Sequence, residues 1–154
     1  MKVSAAPFPD TSFLCSLYRA DVYSRRADAR MKRLDGPLPA SSFVLLEFRQ
    51  SIRLQIRLHQ RDATKGFGAA EGHAMLKLVR ADLAAGVLGV VAVDWADVQH
   101  ITETLSAKYT ESAGHRLLDI LHVATAIHLG LSEFLTFDTL QQTLAEAEGL
   151  VVTS

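Results

Sequence analysis

At 154 residues, with 49% hydrophobic and 21% charged residues, the chain has the length and apolar content of one ordinary folded domain, which excludes a disordered tail. A single cysteine, Cys15, excludes an intrachain disulfide and a cysteine-rich zinc site, and fits a reducing cytoplasm. A formal net charge of −1 excludes recognition of nucleic acid by bulk positive charge alone, so any such contact rests on local basic patches or a metal ion.

The opening residues hold no apolar stretch of signal-peptide length, and the longest apolar run, residues 84–93, is about half of the roughly 20 residues that span a bilayer. Neither secretion nor membrane insertion is expected, and no linker divides residues 1–154 into more than one domain. Residues 3–8 are predicted as a first strand, whose length is limited by Pro7 and Pro9 because proline cannot donate to a central ladder. Phe13, Leu14 and Leu17 give residues 11–18 the spacing of a short helix, which leaves Asp10 at a strand-to-helix junction. A second helix is expected over residues 21–34, after which the Gly-Pro-Leu-Pro run at 36–39 breaks the chain. Ser41 or Ser42 then caps a long helix to residue 58, with Glu47 in its early turns.

Residues 66–72 form a glycine-containing loop; Gly66 and Gly68 follow a charged helix instead of a strand, so they do not make a dinucleotide-binding turn. A helix over residues 71–85 stops at Gly86, and the β-rich residues 87–93 are expected as a buried strand. Asp94 fits the cap of the next helix, residues 95–108. After Gly114 a further helix carries Leu117, Leu118, Leu121, Ala124 and His128 until Gly130, with Asp119 in its first turn. Residues 134–137 are a short strand running into Asp138, then come a polar helix and a last strand at 150–153. Strands alternating with helices imply an α/β fold whose parallel sheet has helices on both faces.

In open sheets of this kind, ligands bind outside the carboxyl ends of the strands. Asp10 and Asp138 follow strands, and Glu47 and Asp119 occupy early helical turns that begin at the same edge. Converging carboxylates raise one another's pKa, and a cation is the usual means of keeping them ionised. Oxygen donors without a His or Cys set select Mg²⁺, with Mn²⁺ as a substitute. Each acid also has a structural reading: Asp10 and Asp138 as N-caps, Glu47 as a surface charge, Asp119 as a helix-dipole partner. His122, one turn after Asp119, is read as a packed structural histidine more readily than as a general base, and Cys15 as a small buried residue. Arg49, Arg53, Arg57 and Arg61 form a drifting basic stripe on the Glu47 helix, which is either a solvated face or a contact for phosphate or an acidic protein segment.

The motifs Asp-Thr-Ser-Phe-Leu at 10–14, Leu-Leu-Glu at 45–47, Leu-Asp-Ile-Leu-His-Val-Ala-Thr-Ala at 118–126 and Phe-Leu-Thr-Phe-Asp at 134–138 resemble those of PIN domains, and among these the VapC-type toxins. The resemblance implies a three-layer α/β/α fold with a central, mainly parallel sheet. Its acidic positions match Asp10, Glu47, Asp119 and Asp138, which it implies hold Mg²⁺ and carry catalysis, with the Thr136 hydroxyl nearby. It further implies single-strand endoribonuclease activity on RNA, homodimerisation, and inhibition by a small antitoxin protein. Two alternatives stand beside this: an idle PIN-like binding domain, and a phosphoacceptor signalling module. The latter needs a late lysine near the site, whereas the last lysine here, Lys108, precedes both Asp119 and Asp138.

Overall fold

In the computed structural model, which describes residues 4–153, the chain alternates strands and helices. Strand β1 (Ser4–Pro9) leads into α1 (Thr11–Tyr18) and α2 (Ser24–Met31), and β2 (Leu38–Ala40) into α3 (Ser42–Arg61) and α4 (Ala69–Ala85). Strand β3 (Leu88–Val90) is followed by α5 (Trp95–Ala113) and α6 (Leu117–His128), β4 (Leu131–Leu135) by α7 (Thr139–Ala147), and β5 (Val151–Thr153) comes last. Val3, expected in the first strand, lies outside the described residues.

The described strand pairings are all parallel. Alternation along a strand sends successive side chains to opposite faces, so Phe134 and Leu135 enter different apolar layers. Phe8 and Phe134 stack at 6.4 Å on the side covered by α5, α6 and α7. Leu135 joins Phe13, Phe48 and Ile52 on the side of α1, α3 and α4. This is the expected three-layer α/β/α arrangement around a parallel sheet. Helix α3 buries Val44, Leu45, Phe48, Ile52 and Ile56, a stripe with helical spacing, and Ser41 caps it by accepting from the Val44 N–H at 3.1 Å.

The sheet is divided into two pieces, β1-β4-β5 and β2-β3, for a reason written in the prolines. The Asp10 N–H donates to Leu135 O at 3.0 Å, so Asp10 and Phe8 turn their backbone groups to β4 while Pro7 and Pro9 face the opposite edge, where β2 runs. On β2, Leu38 N–H donates to Val87 O at 2.9 Å and Ala40 O accepts from Val91 N at 3.0 Å, so Pro39 faces β1. Three residues without an N–H thus line the seam, and a regular ladder there lacks its donors.

Several boundaries differ from expectation. Strand β2 lies across the Pro-rich run read as a break, because its pairing partner β3 uses only the non-proline positions. The buried strand expected at 87–93 shrinks to β3; it has a neighbour on one side only, and Val90 is 60% exposed. Strand β4 begins and ends earlier than 134–137, since the polar Glu133 is accommodated by Arg30 at 2.5 Å and Thr153 at 2.6 Å. Helix α2 starts late because Asp21 forms a turn instead, accepting from Tyr23 N and donating its own N–H to Ser24 Oγ, both at 2.8 Å.

The loop before α4 is built on a close approach. Gly66 has φ +58°, and a Cβ there would stand 2.1 Å from the Gln55 carbonyl oxygen of α3; Gly86, at φ +75°, would meet nothing within 4 Å. Both positions demand a left-handed backbone, which costs an alanine about 1–2 kcal/mol. Gly66→Ala should therefore lose clearly more stability than Gly86→Ala in urea unfolding, and equal losses would show that α3 and this loop are not in the contact described.

Candidate functional site

Asp10 ends β1's hydrogen bonding and begins α1's. Its Oδ1 accepts from the Phe13 N–H at 2.8 Å, as an N-cap does, and from Ser12 Oγ at 2.7 Å; its Oδ2 accepts from Thr136 Oγ1 at 2.5 Å. The residue is 1% exposed, and burial pushes its pKa up to about 6 although all three donors act to lower it.

Glu47, on the second turn of α3, accepts from Thr11 Oγ1 at 2.8 Å and from His122 Nε2. Burial pushes the Glu47 pKa up, yet the bonds from His122 and Thr11 and the charge of Arg116 hold it below the ordinary carboxylate value. His122 is buried, as a packed histidine would be, and its Nδ1 has no partner among the described residues. Asp119 pairs with Arg116 Nε at 3.1 Å. Burial raises its pKa, the Arg116 guanidinium opposes the rise, and nearby Asp138 and Glu47 add to it. Asp138 caps α7 by accepting from the Gln141 N–H at 2.9 Å, and the Gln141 side chain donates to Asp119 O at 3.0 Å, fastening α7 to α6.

All four acids singled out in the sequence line one cavity of about 210 Å³, with Arg116 and His122 beside them. Among the described residues, however, no three acidic, histidine or cysteine side chains are gathered tightly enough to form a ready-made ion cage. Protein donors hold an oxygen of each carboxylate.

The sequence reading missed Arg116, whose signal was its place three residues before Asp119, and the bond from His122 to Glu47, which joins residues 75 apart in sequence. The arginine stripe, although on the Glu47 helix, turns away from the site: Arg49 lies about 200° around α3 from Glu47. Arg49 and Arg53 instead share a separate groove with Leu76, Val79 and Arg80 of α4. Asp94 caps α5, accepting from Ala96 N at 3.0 Å and Asp97 N at 3.3 Å, and takes no part in the cavity. No helix among the described residues is long and apolar enough to cross a membrane.

An acid-lined cavity at the carboxyl edge of a parallel sheet, between helices of both layers, is the arrangement of a known class. The family model of the PIN domain matches residues 8–147, and the chain belongs to that family. Its fold is similar to that of Mycobacterium tuberculosis VapC20, described as a Sarcin-Ricin loop cleaving toxin, at 21% identity and TM-score 0.65, covering 95% of this chain and 97% of that one. FitAcB from Neisseria gonorrhoeae (17% identity, TM-score 0.60, 96% of each chain) and PAE2754 from Pyrobaculum aerophilum (15%, 0.57, 97% of this chain and 91% of that one) share it. No curated protein matches the sequence.

Asp10 binds its proton more tightly in the folded chain than in the unfolded one, so its contribution favours folding as pH falls from about 6 towards 4 and opposes it as pH rises. In EDTA, the wild type should therefore gain stability relative to Asp10→Asn on moving from roughly pH 7 to pH 5. Thermal melts of both proteins test this; a stability gap that does not change with pH would contradict the buried, strained carboxylate.

Proposed function

We propose that this PIN domain is a Mg²⁺-dependent endoribonuclease and the toxin of a VapBC-type toxin–antitoxin pair. The observation that carries the reading is the meeting of Asp10, Glu47, Asp119 and Asp138, from four separate parts of the fold, in one cavity. The donor set fits a hard divalent cation: it is all oxygen, Asp10 and Asp119 are held above their ordinary pKa, and Asp119 is pushed further by its acidic neighbours. Asp10, Glu47, Asp119 and Asp138 would hold Mg²⁺ or Mn²⁺. When bound, the ion supplies charge neutralisation at the phosphodiester and a lowered pKa for the attacking water.

The chain's own residues do the positioning. Thr11 and His122 fix the Glu47 carboxylate, and Ser12, Phe13 and Thr136 fix that of Asp10, so neither has to reorganise far. Arg116, exposed at the lip of the cavity, presents a guanidinium to an incoming phosphate oxygen. The likeness in fold to VapC20 and FitAcB supports a toxin with a small antitoxin partner, and a lone reduced Cys15 suits a cytoplasmic one. Homodimerisation belongs to the same reading. A phosphoacceptor would need a lysine at the cavity, but Lys108 is engaged elsewhere, with Glu148 at 3.0 Å.

Asp119→Asn separates this function from a structural role. Cleavage of single-stranded RNA in Mg²⁺ should fall by at least about a hundredfold and be abolished by EDTA in the wild type. Metal-free stability should hold or rise, because the change relieves repulsion from Asp138 and Glu47, while the exposed pair with Arg116 is worth little. A variant that still cuts RNA but melts earlier would assign Asp119 to helix stabilisation and defeat the proposal.

A further inference from the structure

The nearly neutral chain conceals a division of charge. Residues 19–80 carry thirteen Lys and Arg against six Asp and Glu, and residues 81–154 carry two against ten. Helices α2 to α4 thus form a basic half and α5 to α7 an acidic half. A polyanionic strand is drawn to the first and repelled by the second, which fixes the side from which it reaches the acidic cavity.

On that basic side a second cavity, of about 260 Å³, adjoins the first, and Cys15 lines both. Its floor is apolar, made of Ile52, Phe67 and Met75, each nearly fully buried. Its rim is polar, with Arg19, Asp21, Ser51 and Gln55. Arg19 is held in place, its guanidinium 4.8 Å above the Phe67 ring and 3.0 Å from Glu71. The Gln55 side chain makes no hydrogen bond among the described residues, which leaves a donor and an acceptor together at the lip. A flat, mostly apolar body with a hydrogen-bonding edge matches that lining, and in single-stranded RNA the unstacked nucleobase is that body.

We propose that this cavity between α1, α3 and α4 binds the nucleobase of a nucleotide flanking the cleaved phosphate, and so sets which RNA sequence is cut. The inference rests on the nuclease reading for its substrate. Continuity with the acidic cavity through Cys15, on the more basic half of the chain, favours an RNA base as occupant over an apolar side chain of a protein partner; at the rim itself Arg19 is balanced by Asp21 and Glu71.

The test uses the whole chain and a set of single-stranded RNA oligonucleotides, each with one base replaced by an abasic ribose. Binding is read by fluorescence anisotropy in EDTA and cleavage is read separately in Mg²⁺. One abasic position beside the cleaved bond should weaken wild-type binding about tenfold. Gln55→Ala, at the rim, and Met75→Trp, which fills the floor, should each erase that positional penalty. Cleavage by both variants in Mg²⁺ should likewise no longer depend on whether that base is present. Gln55→Ala keeps the experiment decisive if the larger side chain at Met75 disturbs folding. A penalty of unchanged size in the folded variants, or no penalised position in the wild type, overturns the proposal even where RNA is cleaved. Unchanged RNA behaviour with lost affinity for an antitoxin would likewise overturn it, marking a protein-docking slot. A penalty that the variants erase, with no cleavage in Mg²⁺, would uphold the base pocket and defeat the nuclease reading instead.

Discussion

The site is built around a carboxylate that the fold buries and yet surrounds with donors to its charged form. Asp10 is tied by its backbone to β4, by one oxygen to the start of α1, and by the other to Thr136 beyond the end of β4. Three donors favour the charged form, while burial disfavours it more strongly. The side chain is therefore both a structural cap and an energetic liability. A group held this way keeps its position because its neighbours over-determine it, and such strain is commonly stored where a protein does chemistry.

The same tension organises the rest of the cavity. Asp119 is raised by burial and by Asp138 and Glu47, and only the exposed Arg116 opposes it. Glu47 escapes the rise because His122 and Thr11 both donate to it. The four acids thus differ in environment although they line one cavity, and each is held by donors of its own. Without a cation these hydrogen bonds and Arg116 bear the repulsion, and a bound divalent cation would offset part of it.

The fold was legible where periodicity and capping agree. Ser41 before an apolar stripe, Asp94 before Trp95 and Gly86 after the fourth helix all mark the ends that the structure shows. The strands were harder, because their limits depend on pairing. Pro39 looked like a break and sits in β2, whereas Val87 and Val90 looked buried and lie on an edge. The proline seam is intelligible from sequence only after the strand order is known, since the missing donors matter solely on the facing edges. At the site, the meeting of the four acids in one cavity was legible from their place at strand and helix starts. His122 bonding to Glu47 and Arg19 lying over Phe67 were not, because nothing local in the sequence joins residues so far apart.

Asp10 organises the ion site proposed for the acidic cavity. Electron paramagnetic resonance of Mn²⁺ titrated with the protein reports ion binding directly, with no RNA and no turnover. The wild type should quench the free-ion signal at about one or two ions per chain, and Asp10→Asn should lose that binding while remaining folded. Retention of wild-type Mn²⁺ binding by Asp10→Asn, or no binding by the wild type at millimolar ion, would contradict the account.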